Sequence, residues 1–133
     1  MPEIHRRRKE NHSKLVNIFK EYEDFFIIPK ATEHADPSWF AFAITIKNEA
    51  PFKRKNIVDF FETNKIQTRP YFAGNIMLQP AYNGLIDKNE VIAKYPIARK
   101  ITTDTFFLGT SPVITSEQIE YIKETLSNFT KTI

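Results

Sequence analysis

Apolar residues recur along this chain with two different periods, and the period changes at points marked by proline, glycine or asparagine. Leu15, Ile18, Phe19 and Tyr22 fall at i, i+3, i+4 and i+7, the spacing that puts one apolar stripe on a helix, here over about Glu3 to Glu23. Phe25 to Ile28 is a short apolar run closed by Pro29 and reads as an entry strand or a buried connection. The polar stretch Lys30 to Ser38, with Asp36-Pro37, reads as a loop. Trp39 to Lys47 then alternates strictly, with Phe40, Phe42, Ile44 and Ile46 on one face of a strand and Trp39, Ala41, Ala43, Thr45 and Lys47 on the other.

Ile57, Phe60 and Phe61 return to helical spacing and predict a helix over about Lys53 to Asn64. Ile66 to Arg69 is a short strand stopped by Pro70, and the segment Tyr71 to Lys88, with Gly74, Pro80 and Gly84, is loop-rich. Val91 to Ile101 predicts a helix in which Pro96 is a break or a first-turn residue, and Thr105 to Leu108 a strand ended by Gly109. Thr115 followed by Gln118 is a capping box for a last helix with the stripe Ile119, Ile122, Leu126 and Phe129. The order predicts one α+β domain over residues 1–133, a sheet of about three main strands, antiparallel or mixed, covered by helices.

The chain has 133 residues, 41% hydrophobic and 26% charged, which is the composition of a domain with a core. Its net charge of +3 demands no polyanionic partner. The basic run Arg6 to Lys9, with Lys14 and Lys20, is read as the solvated side of the first helix, so no nucleic-acid partner is expected. There is no cysteine, which excludes disulfides, thiolate zinc sites, a cysteine nucleophile and cluster ligation by this chain. No apolar run approaches the roughly 20 residues of a membrane span, and the basic start lacks an apolar h-region. A cytoplasmic protein without membrane partners is expected.

Much catalytic chemistry is missing. His5, His12 and His34 lack metal-ligand spacing and are expected at the surface, and the three glycines form none of the known phosphate-binding or nucleophile-elbow motifs. No catalytic, cofactor-binding or metal-binding residue is assigned. What remains is the stretch Thr68 to Tyr82. It joins the guanidinium of Arg69, suited to a phosphate or carboxylate, to the amide of Asn75 and to rings at Tyr71 and Phe72 that suit a sugar or base. A long polar-aromatic loop is often functional, yet the same rings can be core and Arg69 a solvated cation.

Five segments in order, Glu23-Asp24-Phe25-Phe26, Asp36-Pro37-Ser38-Trp39-Phe40, Ile66-Gln67-Thr68-Arg69, Phe72-Ala73-Gly74-Asn75 with Gln79-Pro80, and Thr105 to Gly109, resemble the C-terminal part of the DegT/StrS-type sugar aminotransferase and dehydratase family. The resemblance runs from about Arg6 to Phe129 and is nearest to the branch that dehydrates CDP-4-keto-6-deoxyglucose at C3 for lipopolysaccharide O-antigen. It departs at Thr110-Ser111-Pro112-Val113, where a Tyr-Pro-Gly-like turn is expected.

The resemblance implies the small C-terminal domain of a fold type I enzyme whose large cofactor domain is absent here. Pyridoxamine or pyridoxal 5'-phosphate, and in the nearest branch an iron–sulfur cluster, would belong to that other part and none to this chain. The cofactor would act as electron sink while the C3 hydroxyl leaves. This domain would close the active site, with Arg69 on a phosphate or sugar oxygen of the nucleotide sugar, Asn75 offering an amide, and Tyr71 and Phe72 walling the pocket. Its partners would be the nucleotide-sugar substrate, the cofactor domain and further copies of the enzyme. Alone it would be inert. A fragment of a PLP-dependent sugar aminotransferase and a free-standing basic binding module for nucleic acid or protein are the alternatives.

Overall fold

In the computed structural model, which describes residues 1–133, the elements run α1 (Pro2–Lys20), β1 (Phe26–Ile27), β2 (Ala41–Ile46), α2 (Arg54–Thr63), β3 (Thr68–Pro70), α3 (Lys88–Lys94), α4 (Pro96–Asp104), β4 (Thr105–Gly109) and α5 (Ser116–Thr130). The sheet order is β1-β2-β4-β3, and every neighbouring pair is antiparallel. Four strands stand where the pattern predicts about three. The fourth is the Phe25–Ile28 run, of which Phe26 and Ile27 pair with Ile46 and Thr45.

Alternation decides which face of the sheet is buried. Phe26, Phe42, Ile44, Ile46, Phe106 and Leu108 point inward and meet Leu15, Ile18 and Phe19 of α1, Ile57 and Phe61 of α2, and Ile119, Ile122, Leu126 and Phe129 of α5. Burying each such side chain contributes about 1.5–3 kcal/mol. The helices are set by local signals. Pro2 occupies the first turn of α1, where a missing N–H is harmless. The Thr115 hydroxyl accepts from Gln118 N at 3.3 Å while Gln118 Oε1 accepts from Thr115 N at 3.0 Å, closing the capping box of α5. Pro96 begins α4 and so divides the Val91–Ile101 pattern into two helices.

Two expectations fail at one end of the sheet. Phe40 does not share the buried face of Phe42: Trp39 adopts φ +47°, the alternation breaks, and Phe40 is 65% exposed. His12 is not a surface residue. It is only 4% exposed, stacked on Trp39 with ring centroids 3.8 Å apart, and its Nε2 has no partner. The Thr110 hydroxyl donates to Trp39 O and Asn11 Nδ2 donates to Ser111 O at 2.8 Å, so the departure at Thr110-Ser111 is tied into this same corner.

The outward face of the sheet is covered only in part. At one end α4 closes it: Lys100 Nζ donates to Ile46 O at 2.8 Å, and Arg54 donates to the carbonyls of Thr102 and Thr105 at 2.8 and 3.1 Å. Towards the other end, Phe40, Arg69 and Phe72 are exposed around Phe107.

Candidate functional site

The site is built from β3 outward. Thr68 is buried, and its N–H and hydroxyl both donate to Glu62 Oε1, at 2.6 and 2.8 Å. These two bonds hold the Glu62 carboxyl below the usual carboxylate range and fix the register of β3. With Thr68 inward, Arg69 must point outward, opposite Phe107 of β4. Pro70 lacks an N–H and ends the ladder on an edge strand, where that omission is tolerated.

The chain then turns sharply. Phe72 N donates to Pro70 O at 2.9 Å, and Phe72 takes φ +45°. A bulky residue in the left-handed region costs of order 1–3 kcal/mol, which the surrounding structure must sustain. The result is that the Phe72 ring, 73% exposed, lies 6.0 Å from the Phe107 ring and 5.5 Å from Tyr71. Arg69, Tyr71 and Phe72 therefore share one exposed surface. No carboxylate pairs with Arg69, so its planar fork is free for an anionic oxygen pair.

Asn75 stands apart from them. It is buried, its Oδ1 accepts from Met77 N at 3.1 Å, and its own N–H donates to Thr102 Oγ1 at 2.6 Å. Gly74 beside it has φ +58°, and a Cβ there would lie 2.2 Å from Thr102 Oγ1 and 2.7 Å from Thr102 Cα. Gln79 Nε2 closes the loop by donating to Ala73 O at 2.8 Å. The F-A-G-N stretch thus divides into a frame (Gly74, Asn75, Gln79), pinned on α4, and a presented set (Arg69, Tyr71, Phe72). Sequence reasoning missed Thr102, Phe107 and Phe40. The alternation of Thr105 to Leu108 carried a signal for Phe107; nothing local marked Thr102.

The sequence and the fold of this chain match a known class. The chain belongs to the DegT/DnrJ/EryC1/StrS aminotransferase family, whose model matches residues 1–127. It is 35% identical over 123 residues to the lipopolysaccharide biosynthesis protein RfbH of Salmonella typhimurium, covering 92% of this chain and 28% of that one. It is 41% identical over 109 residues to the dTDP-4-dehydro-2,6-dideoxy-D-glucose 3-dehydratase of Saccharopolyspora spinosa, covering 77% of this chain and 22% of that one. The chain therefore spans roughly a quarter of these relatives' length. Its fold matches that of the Escherichia coli GDP-4-keto-6-deoxy-D-mannose-3-dehydratase with bound hydrated PLP, with a TM-score of 0.73 and 23% identity over 94% of this chain and 31% of that one.

The Arg69 cluster lacks the groups through which such a cofactor reacts. A pyridoxal-type ring calls for a carboxylate or similar partner at its ring nitrogen and an amine or base at the reacting carbon. Arg69, Tyr71 and Phe72 supply neither, and with no cysteine the chain has no thiolate for an iron–sulfur cluster.

Proposed function

We propose that this chain is the C-terminal small domain of a pyridoxamine- or pyridoxal-phosphate-dependent nucleotide-sugar 3-dehydratase. It would work in the cytoplasm in deoxysugar synthesis for lipopolysaccharide O-antigen, within a homo-oligomer. The cofactor, and any iron–sulfur cluster, belong to the part of the enzyme outside this chain. The domain closes the active site and contacts the sugar nucleotide, with Arg69 on an anionic oxygen and Tyr71 and Phe72 as walls. Asn75 takes part chiefly by shaping the loop through its Oδ1, which accepts from Met77 N, while its Nδ2 keeps its donors for substrate.

The observation that carries this reading is the unpaired Arg69 guanidinium beside two exposed rings, on a chain of this family. The name of the Saccharopolyspora relative favours a dehydratase over the aminotransferase alternative, and that of the Salmonella relative favours a role in lipopolysaccharide biosynthesis.

The test is a chimera in which this chain replaces the matching segment of the Saccharopolyspora relative. It should consume dTDP-4-dehydro-2,6-dideoxy-D-glucose. Arg69→Ala in that chimera should lower kcat/KM roughly ten- to a hundredfold, the effect of losing a charge-assisted hydrogen bond of about 1.5–3 kcal/mol, with Arg69→Lys rescuing in part. A chimera that folds and holds cofactor but leaves the sugar untouched, or an Arg69→Ala chimera with unchanged kcat/KM, overturns the reading.

A further inference from the structure

Beyond the Arg69 cluster, the same face of the sheet carries rings that nothing above employs. Phe107 lies opposite both Arg69 and Ala43 in the ladder, so it occupies the middle of the outward face. Its ring centroid is 6.1 Å from Phe40 on one side and 6.0 Å from Phe72 on the other, and Phe72 is followed by Tyr71 at 5.5 Å. The four rings form one row. Arg8 of α1 ends the row beyond Phe40, its guanidinium carbon 6.0 Å from that ring, and its Nε is buried without a partner. Arg69 stands at the centre, beside Phe107, and neither arginine has a carboxylate partner.

This exposure is not an accident of a loose loop. Of the four non-glycine residues with positive φ, Trp39 is the one whose strain turns Phe40 out of the core, and Phe72 is itself presented by its own strain. Two left-handed residues in separate loops, before β2 and after β3, thus turn rings outward towards the same Phe107. Such outliers concentrate where strain serves a site. The chemistry of the row, rings set edge-to-face or tilted against one another with arginines at its end and centre, suits a planar heterocycle lodged on a ring face and joined to a diphosphate.

We infer that Phe40 and Phe107, backed by Arg8, form a nucleobase site that extends the Arg69 site, so that a nucleoside diphosphate lies along the row with its base between the face of one of these two rings and the edge of the other, 61° apart in plane, and its phosphates at Arg69. The inference rests on the proposed role of Arg69 for the phosphates but is independent of it for the base. It also assigns the order of the substrate along the row: base at Phe40, diphosphate at Arg69, sugar towards Tyr71. Stacking on rings is tolerant of base identity, so this base site supplies affinity for a nucleotide more than choice among bases.

The experiment titrates the full chain, at constant ionic strength, with CDP, dTDP, GDP and, separately, inorganic pyrophosphate. Emission of Trp39, the single tryptophan and the neighbour of Phe40, is the readout, with amide spectra as a second. The nucleoside diphosphates should bind at least about fivefold more tightly than pyrophosphate, the effect of one stacked base. Phe40→Ala and Phe107→Ala should each bring them down to the pyrophosphate level, and Phe40→Tyr should keep the advantage; circular dichroism checks that the variants fold.

Equal binding of pyrophosphate and nucleotides, a silent Phe40→Ala, or no binding of any nucleotide overturns the base site. If pyrophosphate binding disappears in Arg69→Ala while the base adds nothing, the base site falls and the Arg69 reading stands. If a base-dependent response persists unchanged in Arg69→Ala, the base site stands and the Arg69 reading falls. A Phe40 resonance that shifts only with protein concentration shows a contact between copies of the chain and also overturns the base site.

Discussion

At the scale of single residues, burial of a polar ring at His12 has a consequence that can be measured without any ligand. Its imidazole lies between the Trp39 face, 3.8 Å away, and the edge of Phe42, and desolvation lowers its pKa from 6.5 to about 4. The unfolded chain therefore takes up the proton first as pH falls, so stability is full above pH 6.5 and declines from there towards pH 4. The loss between pH 8 and pH 5 should be about 2 kcal/mol from this group alone. Carboxyls held low, such as that of Glu62, add their losses only at lower pH. Urea unfolding at the two pH values should show this difference in the native chain and a much smaller one in His12→Phe; an unchanged difference in that variant would mean that other groups carry it. Nothing in the sequence distinguished His12 from His5 and His34, because burial of a helix residue depends on which distant ring reaches it, here one turned inward by an unusual φ at Trp39.

At the scale of elements, the loop after β3 is a rigid presenter whose geometry is set by its contact with α4. Gly74 and Gly84 both have positive φ, +58° and +81°, but a side chain at Gly84 meets nothing within 4 Å while one at Gly74 runs into the backbone of α4 at Thr102. Gly84→Ala should accordingly cost only about 1 kcal/mol, the left-handed penalty for one alanine. Gly74→Ala should cost clearly more, because α4 must move or the Asn75–Thr102 hydrogen bond must break. Thermal melts that show equal losses for the two would disprove the clamp. Periodicity made the strand β2, the helix α2 and the capping box of α5 legible, since each depends on neighbours in sequence. The Gly74–Thr102 clamp was illegible, because its partners are 28 positions apart and Thr102 looks like any helix residue. The same holds for Asn75, whose amide reads in sequence like a ligand group and in the structure takes up the Met77 N–H.

At the scale of the whole molecule, one face of the sheet builds the core and the other is left partly uncovered. The inner face, with α1, α2 and α5, gathers the 17 buried hydrophobic residues into one core. The outer face leaves Phe40 and Phe72 largely in water, touching Phe107, Tyr71 and Arg8 but covered by none of them. In the proposed full-length enzyme such a face would meet the rest of the protein and the substrate; on the isolated chain it is free to meet a second copy.

Self-association is therefore expected, with sedimentation velocity showing a larger species as concentration rises from micromolar to millimolar. Phe40→Ser with Phe72→Ser should restore a monomer without lowering stability by more than about 1 kcal/mol, because neither ring is buried in the core. If the wild-type chain stays monomeric at millimolar concentration and binds no apolar dye, the outer face is not sticky. The rings would then be shielded in solution by the loop itself, and the reading of this chain as a domain with an uncovered working face would lose its physical basis.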